Sequence, residues 1–156
     1  MTPSPATLAA RPHAPASAPV RSRAAAVVPP VQVLTLTEPL PGFPAHREYV
    51  LVPADGAGLL SWLQSVAPDG PRFLVARAEA YFPEYAPALP RSACAELGVE
   101  EMAQAQVHCL VTVPPGDVAG ATANLRAPLV VCSRTSRARQ VVLTDPAYPV
   151  RRPMRR

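Results

Sequence analysis

The sequence predicts an all-β domain, a small barrel-like antiparallel fold with one or two short helices. Three observations lead there. Fifteen prolines divide the chain from residue 32 onward into short, strand-like pieces rich in apolar residues. Only one long proline-free stretch, Arg91–Gln106, is rich in helix formers. Short strands at close spacing, separated by Pro and Gly turns, favour a small barrel or sandwich over alternating strand–helix units.

Residues 1–31 hold seven prolines and nine alanines, with no apolar residue recurring at helix or strand period. Prolines at that density remove donors and fix φ, so a disordered Ala/Pro-rich tail is expected there. The domain then runs over residues 32–150, and 151–156 form a basic C-terminal end. Pro12, Pro15 and Pro19 interrupt every candidate signal-peptide core, and no segment approaches the ~20 apolar residues of a membrane span.

The expected strands are Val31–Leu36, Glu48–Val52, Phe73–Ala76, Val107–Val113, Leu129–Cys132 and Gln140–Thr144. In the fourth, Val107, Cys109, Val111 and Val113 share one face and His108 and Thr112 the other, the period of a half-buried strand. Leu129–Cys132 is continuously apolar, as for a strand covered on both sides. The polar segment Ser133–Arg139 is the expected hairpin connection to Gln140–Thr144. In Arg91–Gln106, Ser92 is the expected N-cap and Gly98 the C′ residue, with a second turn at Glu100–Gln104. Gly42 permits positive φ, and Phe43 is placed as a plug for one end of the barrel. Trp62 is assigned to the core, with Gln64 as its exposed neighbour.

Charge divides unevenly. The formal net charge is +4, and every basic residue is arginine. The ends, 1–31 and 151–156, carry three and four arginines and no acid, while 32–150 carries eight arginines against eleven acids, a net of −3. A nucleic-acid-binding barrel concentrates positive charge on the fold itself, and this one does not. The three cysteines, Cys94, Cys109 and Cys132, form no C-x-x-C pair, which points to a reducing cytoplasm. No histidines or cysteines stand at metal-ligand spacing, and no catalytic motif is present, so no metal, cofactor or enzymatic activity is expected.

Eight short motifs recur in a fixed order: L-P-G-F at 40–43, W-L-Q-S at 62–65, R-F-L-V at 72–75, Y-F-P-E-Y at 81–85, A-E-L-G at 95–98, T-A-N-L-R-A-P at 122–128, Q-V-V-L at 140–143 and Y-P-V-R at 148–151. In that order and spacing they resemble the FliW family of flagellar assembly factors. The tail departs from the acidic strand with which the family usually begins. Arg126 stands where lysine is common, a swap that keeps the charge but changes the hydrogen-bond geometry. The resemblance implies a cytoplasmic, monomeric binding protein that takes flagellin and a CsrA-type translational regulator in alternation. Flagellin occupies the factor while export is blocked, and the freed factor then captures the regulator. A mildly acidic body is compatible with a partner whose RNA-binding surface is basic.

For contacts, the corner holding Thr122, Asn124, Leu125 and Arg126 is the leading candidate, together with Phe82 and Tyr85 and with Gln64. Two readings of the corner stand side by side. Asn124 closes a turn against its own backbone, or Thr122, Asn124 and Arg126 project as a contact patch, or both hold, with Asn124 shaping the corner and Arg126 making the contact. Under the second, Arg126→Glu weakens a complex while leaving stability intact. Phe82 is expected to turn inward, with Tyr81 and Tyr85 nearer the surface on an edge or loop. The competing class is an OB-like nucleic-acid-binding barrel, which predicts interleaved aromatics and arginines on strand faces. Residues 107–113 and 129–132 carry neither.

Overall fold

Leu34 and Leu36 on β1 (Gln32–Leu36) and Tyr49 and Leu51 on β2 (Glu48–Pro53) are buried at alternate positions. So are Leu63 on β3 (Leu60–Ser65) and Val75 on β4 (Arg72–Arg77). Side chains two apart share a face, and covering that face from all sides curls the sheet into a ring. The computed structural model describes residues 30–154. The ring is completed by β5 (Ala105–Thr112), β7 (Leu129–Cys132) and β8 (Arg137–Gln140), in the order β4-β3-β2-β1-β8-β7-β5, with β4 paired to β5. Leu129, Val131 and Ala138 finish the interior, so the lumen is a packed core.

One pairing departs from the antiparallel expectation. β1 runs parallel to β8, with Thr35 opposite Arg137 and Leu36 opposite Ala138. Seven strands that alternate in direction around a closed ring must leave one neighbouring pair parallel, and the seam falls between the first strand and the last. Two short strands extend the sheet beyond the ring. β6 (Thr122–Ala123) pairs with β5, and β9 (Arg152–Pro153) pairs with β6. Ordered structure therefore runs past residue 150 into the basic end, whereas residues 1–29 of the tail, and Arg155 and Arg156, lie outside the described residues.

Two short helices cover the outer wall. α1 (Ala78–Tyr81) sits over β5, where Ala78, Phe82, Cys109, Ala123 and Leu125 form a second apolar cluster. α2 (Arg91–Leu97) sits over β7 and β8, packing Ala93 and Leu97 against Val130, Cys132, Val141 and Leu143. α2 starts one residue before Ser92: Pro90 occupies the N-cap in an extended conformation, with no side-chain bond. Its C-terminus ends on Gly98 at φ 82°, as the sequence indicates. The β7–β8 turn satisfies the open carbonyls of that end. Thr135 donates to the Leu97 carbonyl at 2.6 Å, and Arg134 donates to the Gly98 carbonyl at 2.6 Å. Arg139 ties the same end to the segment just after β1, contacting Glu96 at 2.6 Å and Glu38 at 2.9 Å. A single 3₁₀ turn, Met102–Gln104, stands where the second helical turn is expected.

Several boundaries move. The last long strand is Arg137–Gln140 rather than Gln140–Thr144, because Ala138 is the residue that fits inside the ring opposite Val131. Val141 and Leu143 continue as extended chain, bonded to the carbonyls of Pro128 at 2.9 Å and Arg126 at 2.7 Å, outside the sheet. β3 carries Ser61 and Ser65 at inward positions, so its alternation is masked at the sequence level. Trp62 is not core: it lies half-buried on the outer face of β3, with the Arg72 guanidinium 3.8 Å from its ring centre. The facing of β5 is also the reverse of a half-buried strand. The Cys109 face points out beneath α1, and the His108 face points into the barrel, so both are covered. Phe43 packs on the barrel core, edge-on to Phe73 at 5.4 Å, closing one end.

Candidate functional site

The corner after β6 is organised by Asn124. Its Oδ1 accepts from the Arg126 N–H at 2.9 Å and the Ala127 N–H at 3.2 Å, a turn closed by the side chain on its own backbone. The Asn124 N–H itself donates to the Leu110 carbonyl at 2.9 Å, hanging the corner on β5. Leu125 follows with its side chain buried in the outer cluster and its N–H on the Pro149 carbonyl at 3.0 Å.

Arg126 then reaches across to the 146–148 segment. Its Nε donates to the Tyr148 carbonyl at 2.9 Å and its Nη2 to the Pro146 carbonyl at 3.2 Å. The guanidinium is a clamp between two stretches of backbone, not a projecting charge. Asp145 caps the same segment by accepting from the Ala147 N–H at 2.9 Å.

α1 brings the aromatic motif to the same place. The expected loop begins as one helical turn, with the Phe82 N–H on the Ala78 carbonyl at 2.8 Å and the Tyr85 N–H on the Phe82 carbonyl at 2.9 Å. Phe82 is 3% exposed, turned inward as its motif indicates. The Tyr85 hydroxyl donates to the Leu125 carbonyl at 2.6 Å, and its ring meets Tyr148 edge-on at 5.2 Å. Burial, then the neighbouring Cys109 and Tyr148, hold the Tyr85 phenol well above the usual tyrosine range, so it stays a donor. Burial likewise pushes the Cys109 thiol up to about 12, leaving it an unreactive packing group.

The three segments meet around a dimple of about 130 Å³, whose walls include Phe82, Tyr85, Leu125 and Tyr148. Glu84 and Arg152 stand at its edge, 3.4 Å apart, with the Arg152 guanidinium 5.4 Å from the Phe82 ring centre. The structure thus brings together Phe82, Tyr85, Leu125 and Arg126 from separate motifs. Thr122 sits on β6 beside them, opposite Pro153 of β9. Gln64 is elsewhere: it is exposed on the outer face of β3, opposite Arg72 and Val50. Sequence reasoning missed Glu84 and Arg152, the most exposed members of the constellation; their charges are 68 positions apart and meet only in the folded chain, where β9 places Arg152 beside β6. Among the described residues, no cluster of three or more His, Cys, Asp or Glu is placed to hold a metal ion. Nor is any helix among them long and apolar enough to cross a membrane.

A closed seven-stranded barrel with two outer helices and a side-chain-braced corner defines a small all-β barrel domain. The model of the FliW protein family matches residues 22–154, and the chain belongs to that family. The flagellar assembly factor FliW of Moorella thermoacetica is 31% identical over 122 residues, covering 78% of this chain and 77% of its own. Those of Symbiobacterium thermophilum and an Exiguobacterium species are each 35% identical, over 114 and 124 residues, covering 72% and 79% of this chain and 82% and 83% of their own. A crystal structure of the flagellar assembly factor FliW shares the fold with a TM-score of 0.72 at 24% identity, over 79% of this chain and 85% of that one.

Proposed function

We propose that this protein is a cytoplasmic flagellar assembly factor that binds flagellin and, in alternation, a CsrA-type translational regulator, linking flagellin synthesis to export. The observation that carries this reading is the family match across residues 22–154, which includes every strand of the barrel and the braced corner. The surface around the dimple supports a contact role. It combines partly buried aromatics with an exposed Glu84–Arg152 pair, the mixture of apolar anchor and polar rim found at protein interfaces.

The experiment is a pair of calorimetric titrations with the flagellin and the CsrA-type protein of the same cell, followed by competition. Binding of both, with flagellin displacing the regulator, is the expected outcome. Failure of the folded protein to bind either one overturns the reading.

A further inference from the structure

The two ends of the barrel are built differently. One is closed by Phe43 against Phe73. The other opens into a pocket of about 250 Å³ whose polar lining is Gln32, Ser61, Arg77, Gln106 and His108, over an apolar wall that includes Leu51. Barrel mouths are recurrent ligand sites, and one just below the usual ~300–1,000 Å³ suits a ligand smaller than drug size.

We propose that this mouth binds a carboxylate, carried by a small acid or by the end of a peptide. Arg77 and His108 face each other across β4 and β5, on the inward face of both strands. His108 is only 5% exposed, yet its Nε2 has no hydrogen-bond partner among the described residues. A buried polar atom left unpaired is costly, so this nitrogen marks an unmet demand of the fold at the base of the mouth. Arg77 contacts Glu79 through Nε at 3.3 Å. The lining contains no carboxylate of its own, so Arg77 meets no competing acid inside the mouth.

The donors decide the ligand class. A guanidinium edge, an imidazole, two carboxamides and a hydroxyl line the space, and the guanidinium is the one charged group among them. Burial and then Arg77 hold His108 at about 4, so the ring is neutral near pH 7 and offers one N–H. Arg77 therefore brings the one full charge in the lining, which matches a single carboxylate, and its planar fork suits that group's two oxygens.

The test is an NMR titration of the full chain, reading the His108 imidazole and Arg77 Nε resonances. The probes are sodium acetate and N-acetyl-alanyl-alanine, with acetamide and the dipeptide amide as uncharged controls. A saturable shift with a carboxylate and none with its amide is expected, and Arg77→Gln should weaken it about tenfold or more while melting as the parent does. Saturation by acetate identifies a small-acid site, and saturation by the dipeptide alone a peptide-end site. No saturable shift with either carboxylate, or equal affinity in Arg77→Gln, overturns the proposal.

Discussion

The Tyr85 hydroxyl and the Leu125 carbonyl lie 2.6 Å apart, joining residues forty positions distant. This bond fastens the aromatic segment after α1 to the corner after β6, and Tyr85 also stacks edge-on with Tyr148. Tyr85→Phe keeps the ring and removes only the bond. It should cost about 1–2 kcal/mol, because the Leu125 carbonyl is left without that donor. A denaturant midpoint unchanged from the parent would show that water replaces the hydroxyl at no cost.

Asn124 accepts from two backbone N–H groups, so the corner depends on its carboxamide oxygen. Asn124→Ala should destabilise by about 1–2 kcal/mol, comparable to losing a helix cap, whereas Asn124→Asp keeps the acceptor and stays near the parent. Thermal melts of both variants separate the turn-closing role from a contact role, since a residue acting only in contacts would melt normally.

Arg126→Glu is expected to lower stability, contrary to what an exposed arginine would do. The substitution removes two donors and sets a carboxylate against the carbonyls of Tyr148 and Pro146. Hydrogen bonds from a charged donor contribute about 1.5–3 kcal/mol, so chemical denaturation should show a loss of that order. An unchanged melt would mean that the clamp does not hold in solution.

Glu84 is the better probe of partner contact. Its side chain is 69% exposed and its pairing with Arg152 is a surface contact, so Glu84→Arg should change stability by less than about 1 kcal/mol. If the dimple surface meets flagellin or the regulator, the variant should bind at least one of them more weakly in calorimetry. Parent-like affinity for both would move the interface away from this surface, towards the exposed outer face holding Trp62 and Gln64.

His108 makes the fold sensitive to acid. Burial first, and Arg77 second, depress its folded value to about 4 from an ordinary 6.5. Protonation therefore favours the unfolded chain: the stability is complete above pH 6.5 and is lost as pH falls through that window toward 4. The gap corresponds to about 3 kcal/mol. Urea titrations across this range should show the loss in the parent and a smaller one in His108→Gln; identical slopes would assign the acid sensitivity to other groups.

Local commitments were legible along the chain. Prolines broke the chain into strand lengths, Leu129–Cys132 was legible as a doubly covered strand, and Gly98 marked the end of α2, because each depends on neighbours in sequence. The motif order likewise carried the family. Tertiary structure decided what depends on closure. The parallel β1–β8 seam exists because an odd ring cannot alternate throughout, and β3 was hidden because Ser61 and Ser65 point inward. His108 reads as the polar side of a strand until closure puts that side inside the barrel. Arg126 and Leu125 look alike as corner residues, yet one became a backbone clamp and the other core. Their fates were set by the 146–149 segment, whose carbonyls accept from both residues and which pattern and spacing do not place.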